Sequence, residues 1–302
     1  MNGQGKLLTH FLKNADKLVI PVYQRNYDWK EEHCKKLYSD LVKTVREGKR
    51  WHFFGGIVSV SDPMGSSSDY LVIDGQQRIT TVSLLLLAIA NLVKAGIVTP
   101  KDPNLYDVIT KKYLVDEINP KQRKMKLKPI KGDQDSYDRL WGDPSEYNQS
   151  SRITQNYLYF YNQIQRDDIS VDQLFSAVEK LQIIDITLTP PDDDPQLVFE
   201  SLNSTGLDLN EGDKIRNFVL MRRSMEEQEQ FYDDYWSPIE KNAGYDKQTN
   251  SYDVSPFIRD YLGIKERRLT AMKEIYQEFK DYVEKRGQIE DVLKELRDYA
   301  KR

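Results

Sequence analysis

Cysteine and histidine are the scarcest chemistry-bearing residues of this 302-residue chain: one cysteine, Cys34, and three histidines, His10, His33 and His52. A single cysteine excludes a disulfide framework within the chain and any CxxC metal or redox site. With no histidine after residue 52, the spacings of HNH nucleases, HD phosphohydrolases and HExxH proteases cannot be assembled. No GxSxG elbow is present to carry a hydrolase serine. Long apolar runs are missing as well. The longest, around Val82–Ala90, has about half the length that a membrane span needs. The opening MNGQGKLLTHFLKNADKLVI has neither a continuous apolar core nor a small-residue cleavage site, so no secretory leader is expected. These absences point to a cytoplasmic protein with no membrane partner. The closing IEDVLKELRDYAKR stops in mid-pattern without a capping signal, so the natural protein is expected to continue beyond Arg302.

What is present is a globular composition, 39% hydrophobic and 30% charged, with length for about two domains. The net charge of −4 is unevenly spread. Residues 1–150 carry 23 basic against 18 acidic side chains, and residues 151–302 carry 21 against 30. An anionic ligand is therefore expected to meet the first half.

Periodicity supplies the elements. Residues 1–18 read as a short amphipathic helix or arm, and VIPVYQRNYDW (19–29) as extended structure. Leucine and valine spacings predict a helix over 30–48. HFFGGIVSV (52–60) and YLVI (70–73) predict a hairpin, the glycines marking a close backbone approach. A helix from about Gln77 to Val93 is apolar nearly all round and belongs in the centre of a domain. KQRKMKLKPIK (121–131) alternates like a strand with one basic face, formed by Lys124, Lys126 and Lys128. Helices are expected at 152–166 and 171–180, a strand at 181–188, and helices from about 197 onward, one capped by Asn210 and running to about Met225.

The sharpest local signal is DGQQR at 74–78, between a strand and an apolar helix. A tight turn at Gly75 would aim the free N–H groups of the first helical turn, and the positive end of its dipole, at one spot. Arg78 adds a forked cation suited to phosphate oxygens, and Asp74 can hold magnesium. The alternative is that Asp74 only caps the helix and Arg78 is only a surface cation. YQRNYDW (23–29) can stack a base and hold a phosphate, or merely pack as an aromatic strand, although Arg25 is hard to explain as core. In FESLNSTGLDLNEGDKIRNFVL (199–220) a loop with Asn203, Thr205 and Gly206 precedes Asp213, Lys214 and Asn217; it can close over an anion or simply be a capped helical hairpin. The lysines at 124, 126 and 128 suit a DNA backbone and equally a protected sheet edge.

Taken in order, IPVYQRNYDW, HFFGGIV, YLVIDGQQRITTVSLLLL and FESLNSTGLDLNEGDKIRNFVL resemble the N-terminal domain of GmrSD-type modification-dependent restriction enzymes over residues 18–220. The resemblance implies an α+β fold with a ParB/sulfiredoxin-like mixed-sheet core and a helical C-terminal part. The core is expected over residues 1–135, with 136–302 mostly helical and lending strand 181–188 and the 199–220 motif to it. It also implies that a nucleoside triphosphate, GTP or another, is bound and hydrolysed with Mg2+ in the service of DNA restriction or phage defence. Carried onto this sequence, Asp74, Gln77 and Arg78 become the catalytic candidates, with Asp74 as magnesium ligand. Tyr23, Gln24, Arg25, Gly75, Gln76, Thr80, Asn203, Thr205, Gly206, Lys214 and Asn217 join them as nucleotide contacts, and Phe199 and Glu200 belong to the FExLNxxG element. Tyr23 and Gln24, with Lys124, Lys126 and Lys128, are the candidate contacts to DNA, including modified DNA. Family members usually carry an HNH nuclease domain toward the C-terminus, so cleavage is expected to need that domain in a longer protein or in a partner subunit. An NTP-hydrolysing regulatory domain and a non-catalytic, nucleotide-gated DNA-binding module of ParB type both fit. A nuclease working through the core itself is a third reading.

Overall fold

The computed structural model describes residues 2–61, 69–116, 124–166, 169–190, 192–203, 209–221, 223–246 and 251–301. The chain opens with β1 (Asn2–Leu7), α1 (Leu8–Asn14), β2 (Lys17–Val19) and α2 (Glu31–Arg46). A strand at residues 2–7 corrects the expectation of one helix or arm over 1–18. Gly3 and Gly5 disfavour a helix there, and NGQGKL pairs antiparallel with residues 182–187. The segment after β2 is extended only as far as Val19; it turns at Val22–Gln24 and continues without regular structure.

β3 (His52–Ser61) and β4 (Asp69–Asp74) pair antiparallel, as HFFGGIVSV and YLVI predict. β4 feeds directly into α3 (Gln76–Lys94), where every residue from Ile79 to Ala90 is buried. By length and hydropathy α3 would suit a membrane span, but 83% of its apolar window lies inside the protein. Its all-round apolarity is explained by neighbours on every side, including α6 (Arg152–Arg166).

Between these helices lie α4 (Leu105–Ile109), β5 (Val115–Asp116), β6 (Lys124–Met125), β7 (Leu127–Lys128) and α5 (Lys131–Arg139). The basic stretch is thus two short strands with a bend at Lys126, not one strand. β6 pairs with β5, while β7 joins the main sheet beside β2. α7 (Val171–Val178) and β8 (Leu181–Leu188) follow. The six-stranded sheet runs β1–β8–β3–β4–β2–β7. Its β8–β3, β4–β2 and β2–β7 pairs are parallel and the others antiparallel, so the sheet is mixed and the fold is α+β, as expected.

Two compact units divide the chain. The first comprises Met1–Pro21 and Asn26–Asp193; the second, Val22–Arg25 and Asp194–Arg302. The boundary expected after residue 135 falls inside the first unit, because α6 packs on α3 and α7 on α2, within one hydrophobic core. In the second unit α8 (Pro195–Asn203), α9 (Glu211–Leu220), α10 (Met225–Phe231), α11 (Ser237–Ile239), α12 (Ser255–Glu266), α13 (Ile275–Arg286) and α14 (Ile289–Ala300) pack together. Asn210 caps α9, accepting from the Asp213 N–H at 2.7 Å. The helix expected to reach Met225 ends at Leu220, and Ser224 caps a new one, with Glu227 reciprocating.

Candidate functional site

β4 ends at Asp74, and Gly75 turns the chain with φ +93°. A side chain there would be strained, and its Cβ would stand 3.0 Å from the Gly56 carbonyl oxygen. The first α-helical bond of α3 runs from Ile79 N–H to the Gly75 carbonyl, so Gly75, which has no side chain to offer, is the N-cap. Asp74 is therefore not an N-cap. Its carboxylate lies 3.9 Å from the Arg78 guanidinium, and both side chains are part-exposed, at 42% and 33%.

Arg78 donates to the Gly56 carbonyl at 3.3 Å. Its guanidinium lies across the neighbouring glycine: a Cβ on Gly55 (φ +121°) would be 2.6 Å from Arg78 Nε. The close approach marked by the β3 glycines is thus this arginine, carried over the strand to the start of α3.

Gln77 faces the other way. It is 8% exposed, and its amide closes on the backbone of the preceding segment. Oε1 accepts from Asp28 N–H at 3.0 Å and Trp29 N–H at 3.2 Å, and Nε2 donates to the Asn26 carbonyl at 3.3 Å. This corrects the catalytic assignment of Gln77, because its donor and acceptor atoms are committed to holding residues 26–29. Behind it, Thr81 Oγ1 donates to the Gln77 carbonyl and meets the Tyr27 hydroxyl, both at 2.7 Å, and Asn156 donates to Tyr27 at 2.9 Å and to the Trp29 carbonyl at 2.7 Å. Asp133 accepts from the Tyr27 N–H at 2.6 Å, and burial pushes its carboxyl up to about 6. Burial also raises the Tyr27 hydroxyl, and it pushes the Cys34 thiol up to about 12. Gln76 and Thr80 are both buried, at 7% and 2%.

The second unit gathers the other motifs. Tyr23 is 1% exposed, its ring edge-on to Phe199 with 6.4 Å between centroids. Gln24 is 6% exposed. Neither presents a face for stacking a base, because the chain turns them inward at Val22–Gln24. Arg25 is half-buried and pairs with no described residue. Arg216, on α9, holds the turn in place: Nε donates to the Tyr23 carbonyl at 3.0 Å, while its two terminal nitrogens reach Glu240 at 2.9 Å and Asp213 at 2.8 Å. Lys214 pairs with Glu211 at 2.7 Å. Glu211 accepts from the Tyr276 N–H at 2.9 Å, and Glu200 from the Tyr276 hydroxyl at 2.6 Å. Asn217 is 4% exposed, and its Oδ1 has no hydrogen-bond partner among the described residues. Thr205, Gly206 and the Asn203 side chain lie outside the described residues.

A sequence model of the GmrSD restriction endonuclease N-terminal domain matches residues 8–220. The chain belongs to this family. Membership implies a role in a modification-dependent restriction system, with DNA as substrate or partner. No curated protein matches the chain.

Two features of this GmrSD-family domain escape a reading by residue type. Arg216 does not stand out among the charges of EGDKIRNF, although its i, i+3 spacing from Asp213 is a visible signal. Asp133 and Asn156 carry no motif and are recruited only by folding. Lys126 is a correction. It is 7% exposed, and Nζ donates to the carbonyls of Leu12, Lys13 and Lys112 at 3.2, 3.0 and 3.1 Å. Burial lowers its pKa. A lysine spent on three buried carbonyls offers nothing to DNA; Lys128 is exposed, and the side chain of Lys124 lies outside the described residues. Among the described residues no cluster of three metal-ligating side chains exists. Asp74 alone suits magnesium only where phosphate oxygens complete the shell, a common arrangement for that ion.

Proposed function

We propose that this GmrSD-family domain binds a nucleoside triphosphate at the start of α3 and that the bound nucleotide controls DNA restriction by the system to which it belongs. The observation that carries this reading is the first turn of α3 behind Gly75, an N-cap without a side chain, with the Arg78 guanidinium braced beside it on Gly56. Backbone N–H groups and a positive helix end are there to meet phosphate oxygens, and the arginine supplies a forked, part-exposed cation. Asp74 is placed to share a magnesium ion with the phosphates, which would neutralise charge as the terminal bond breaks.

One observation favours binding without turnover. Gln77, the side chain best suited by type to orient an attacking water, is tied to three backbone groups. A nucleotide-gated DNA-binding module would need no such group. Phosphate release separates the two readings, measured with and without DNA and with Asp74→Asn. Turnover that needs magnesium and falls more than binding in Asp74→Asn supports hydrolysis. Saturable nucleotide binding with no release supports the gated module. Turnover persisting in excess EDTA would contradict the role given to Asp74.

A further inference from the structure

The far end of α3 carries a second recess within the first unit. A cavity of about 420 Å³ opens beside the last turn of α3, lined by α6 and by the segment after α5. Its walls include Trp141, Tyr147, Tyr157 and Tyr161, together with Asn91 and the exposed Lys94 of α3. Such a volume suits a small organic ligand. Arg78 and Asn91 are 13 positions apart on one helix, which at 1.5 Å per residue is about 20 Å. The recess is therefore separate from the triphosphate site proposed above.

Its polar atoms are few and held in place. Asn91 Nδ2 donates to the Tyr157 hydroxyl at 2.9 Å and to the Leu140 carbonyl at 3.4 Å, which fixes the amide. Its Oδ1 accepts from no described residue. Tyr147 donates to the same Leu140 carbonyl at 3.3 Å, and its ring meets Tyr157 edge to face with 5.7 Å between centroids. Tyr161 lies 5.9 Å from Tyr157, and its hydroxyl bonds no described residue. Burial raises the pKa of Tyr147 and Tyr157, so both stay neutral at ordinary pH.

Aromatic walls select a flat ring through stacking. A fixed amide oxygen without a donor selects an N–H group on that ring. A lysine among the lining residues selects an attached anion. We infer that this cavity binds a nucleobase that offers an N–H donor, ring or exocyclic, with the phosphate of the same nucleotide on Lys94. The base has two sources, a free mononucleotide or an unpaired base of DNA, and their recognition chemistry is shared.

The test is a fluorescence titration, reading Trp141, in an Arg78→Ala background that silences the start of α3. Failure of the triphosphate proposal then leaves this result untouched, and the reverse. Probes are CMP, AMP, UMP, 3-methyluridine monophosphate, cytidine, and a short duplex with one unpaired cytosine. The expected result is saturable quenching by at least one of CMP, AMP and UMP, with 3-methyluridine monophosphate, whose base has no N–H, at least about fivefold weaker. Tyr161→Ala, a half-buried position, should weaken binding by about five- to a hundredfold, the range for one stacked base. Lys94→Ala should weaken CMP and leave cytidine unchanged. Saturation by the duplex alone assigns the base to DNA; saturation by mononucleotides alone assigns it to the free nucleotide. If no probe gives a saturable, Tyr161-dependent signal, or if 3-methyluridine monophosphate binds as well as the best of CMP, AMP and UMP, the inference is overturned. Circular dichroism and the melting temperature of both variants show that they are folded.

Discussion

Gly55→Ala strikes the contact that holds Arg78, without touching a charged group. The new Cβ would stand 2.6 Å from Arg78 Nε and 2.9 Å from Cζ, at a backbone φ of +121°. Holding an L residue in that region costs about 1–3 kcal/mol. The clash is relieved by moving the guanidinium, which gives up the 3.3 Å bond to the Gly56 carbonyl. For a part-exposed group that bond is worth about 1 kcal/mol. The single variant should therefore lose about 2–4 kcal/mol of unfolding free energy. In an Arg78→Ala background the steric part vanishes, so Gly55→Ala should cost about 1 kcal/mol less than in wild type. Urea unfolding of the four proteins of the cycle gives that coupling directly. Triphosphate affinity should fall in Gly55→Ala as well, because the cation no longer sits beside the helix start. Strictly additive stabilities, with nucleotide affinity unchanged, would refute the view that the β3 glycines exist to seat Arg78.

Three further outcomes follow from named contacts. Arg216→Ala leaves two carboxylates and the Tyr23 carbonyl without their shared donor, so the second unit should lose about 3–5 kcal/mol by denaturant unfolding. Lys126→Ala should lose about 1.5–3 kcal/mol of stability, yet leave the salt dependence of duplex binding unchanged, against a drop of about 0.9 in log–log slope for a true phosphate contact. Asp133 is raised to about 6 from 3.8, so the folded state holds its proton more tightly than the unfolded state, and its contribution to stability is lost as pH rises from about 4 to 6. Asp133→Asn keeps an acceptor for the Tyr27 N–H and removes that titration. The stability of the variant relative to wild type should therefore rise across the window, by up to about 3 kcal/mol, as melting curves at pH 4 and pH 7 will read.

The parts legible in the sequence were those set by local rules. The hairpin of HFFGGIVSV and YLVI, the turn at Gly75, the buried helix behind it and the Asn210 cap each follow from residues a few positions apart. What could not be read depends on distant partners. NGQGKL is a strand because residues 182–187 lie beside it, and nothing in the first eighteen residues announces that. The alternation of Lys124, Lys126 and Lys128 looked like one face, but the strand bends at Lys126 to satisfy three carbonyls from two other segments. Gln77 and Arg78 are adjacent in sequence and similar in promise. Only the fold shows one turned onto the backbone of residues 26–29 and the other carried across Gly55.

The central claim, that the first turn of α3 receives a triphosphate, is tested most directly by calorimetric titration of GTP and ATP with magnesium into wild type and Arg78→Ala. The account predicts saturable binding of at least one nucleotide by wild type. It predicts a loss of about 10- to 100-fold in the variant, the equivalent of one charge-assisted hydrogen bond of roughly 1.5–3 kcal/mol. Equal affinities in the two proteins, or no binding by wild type, would contradict it.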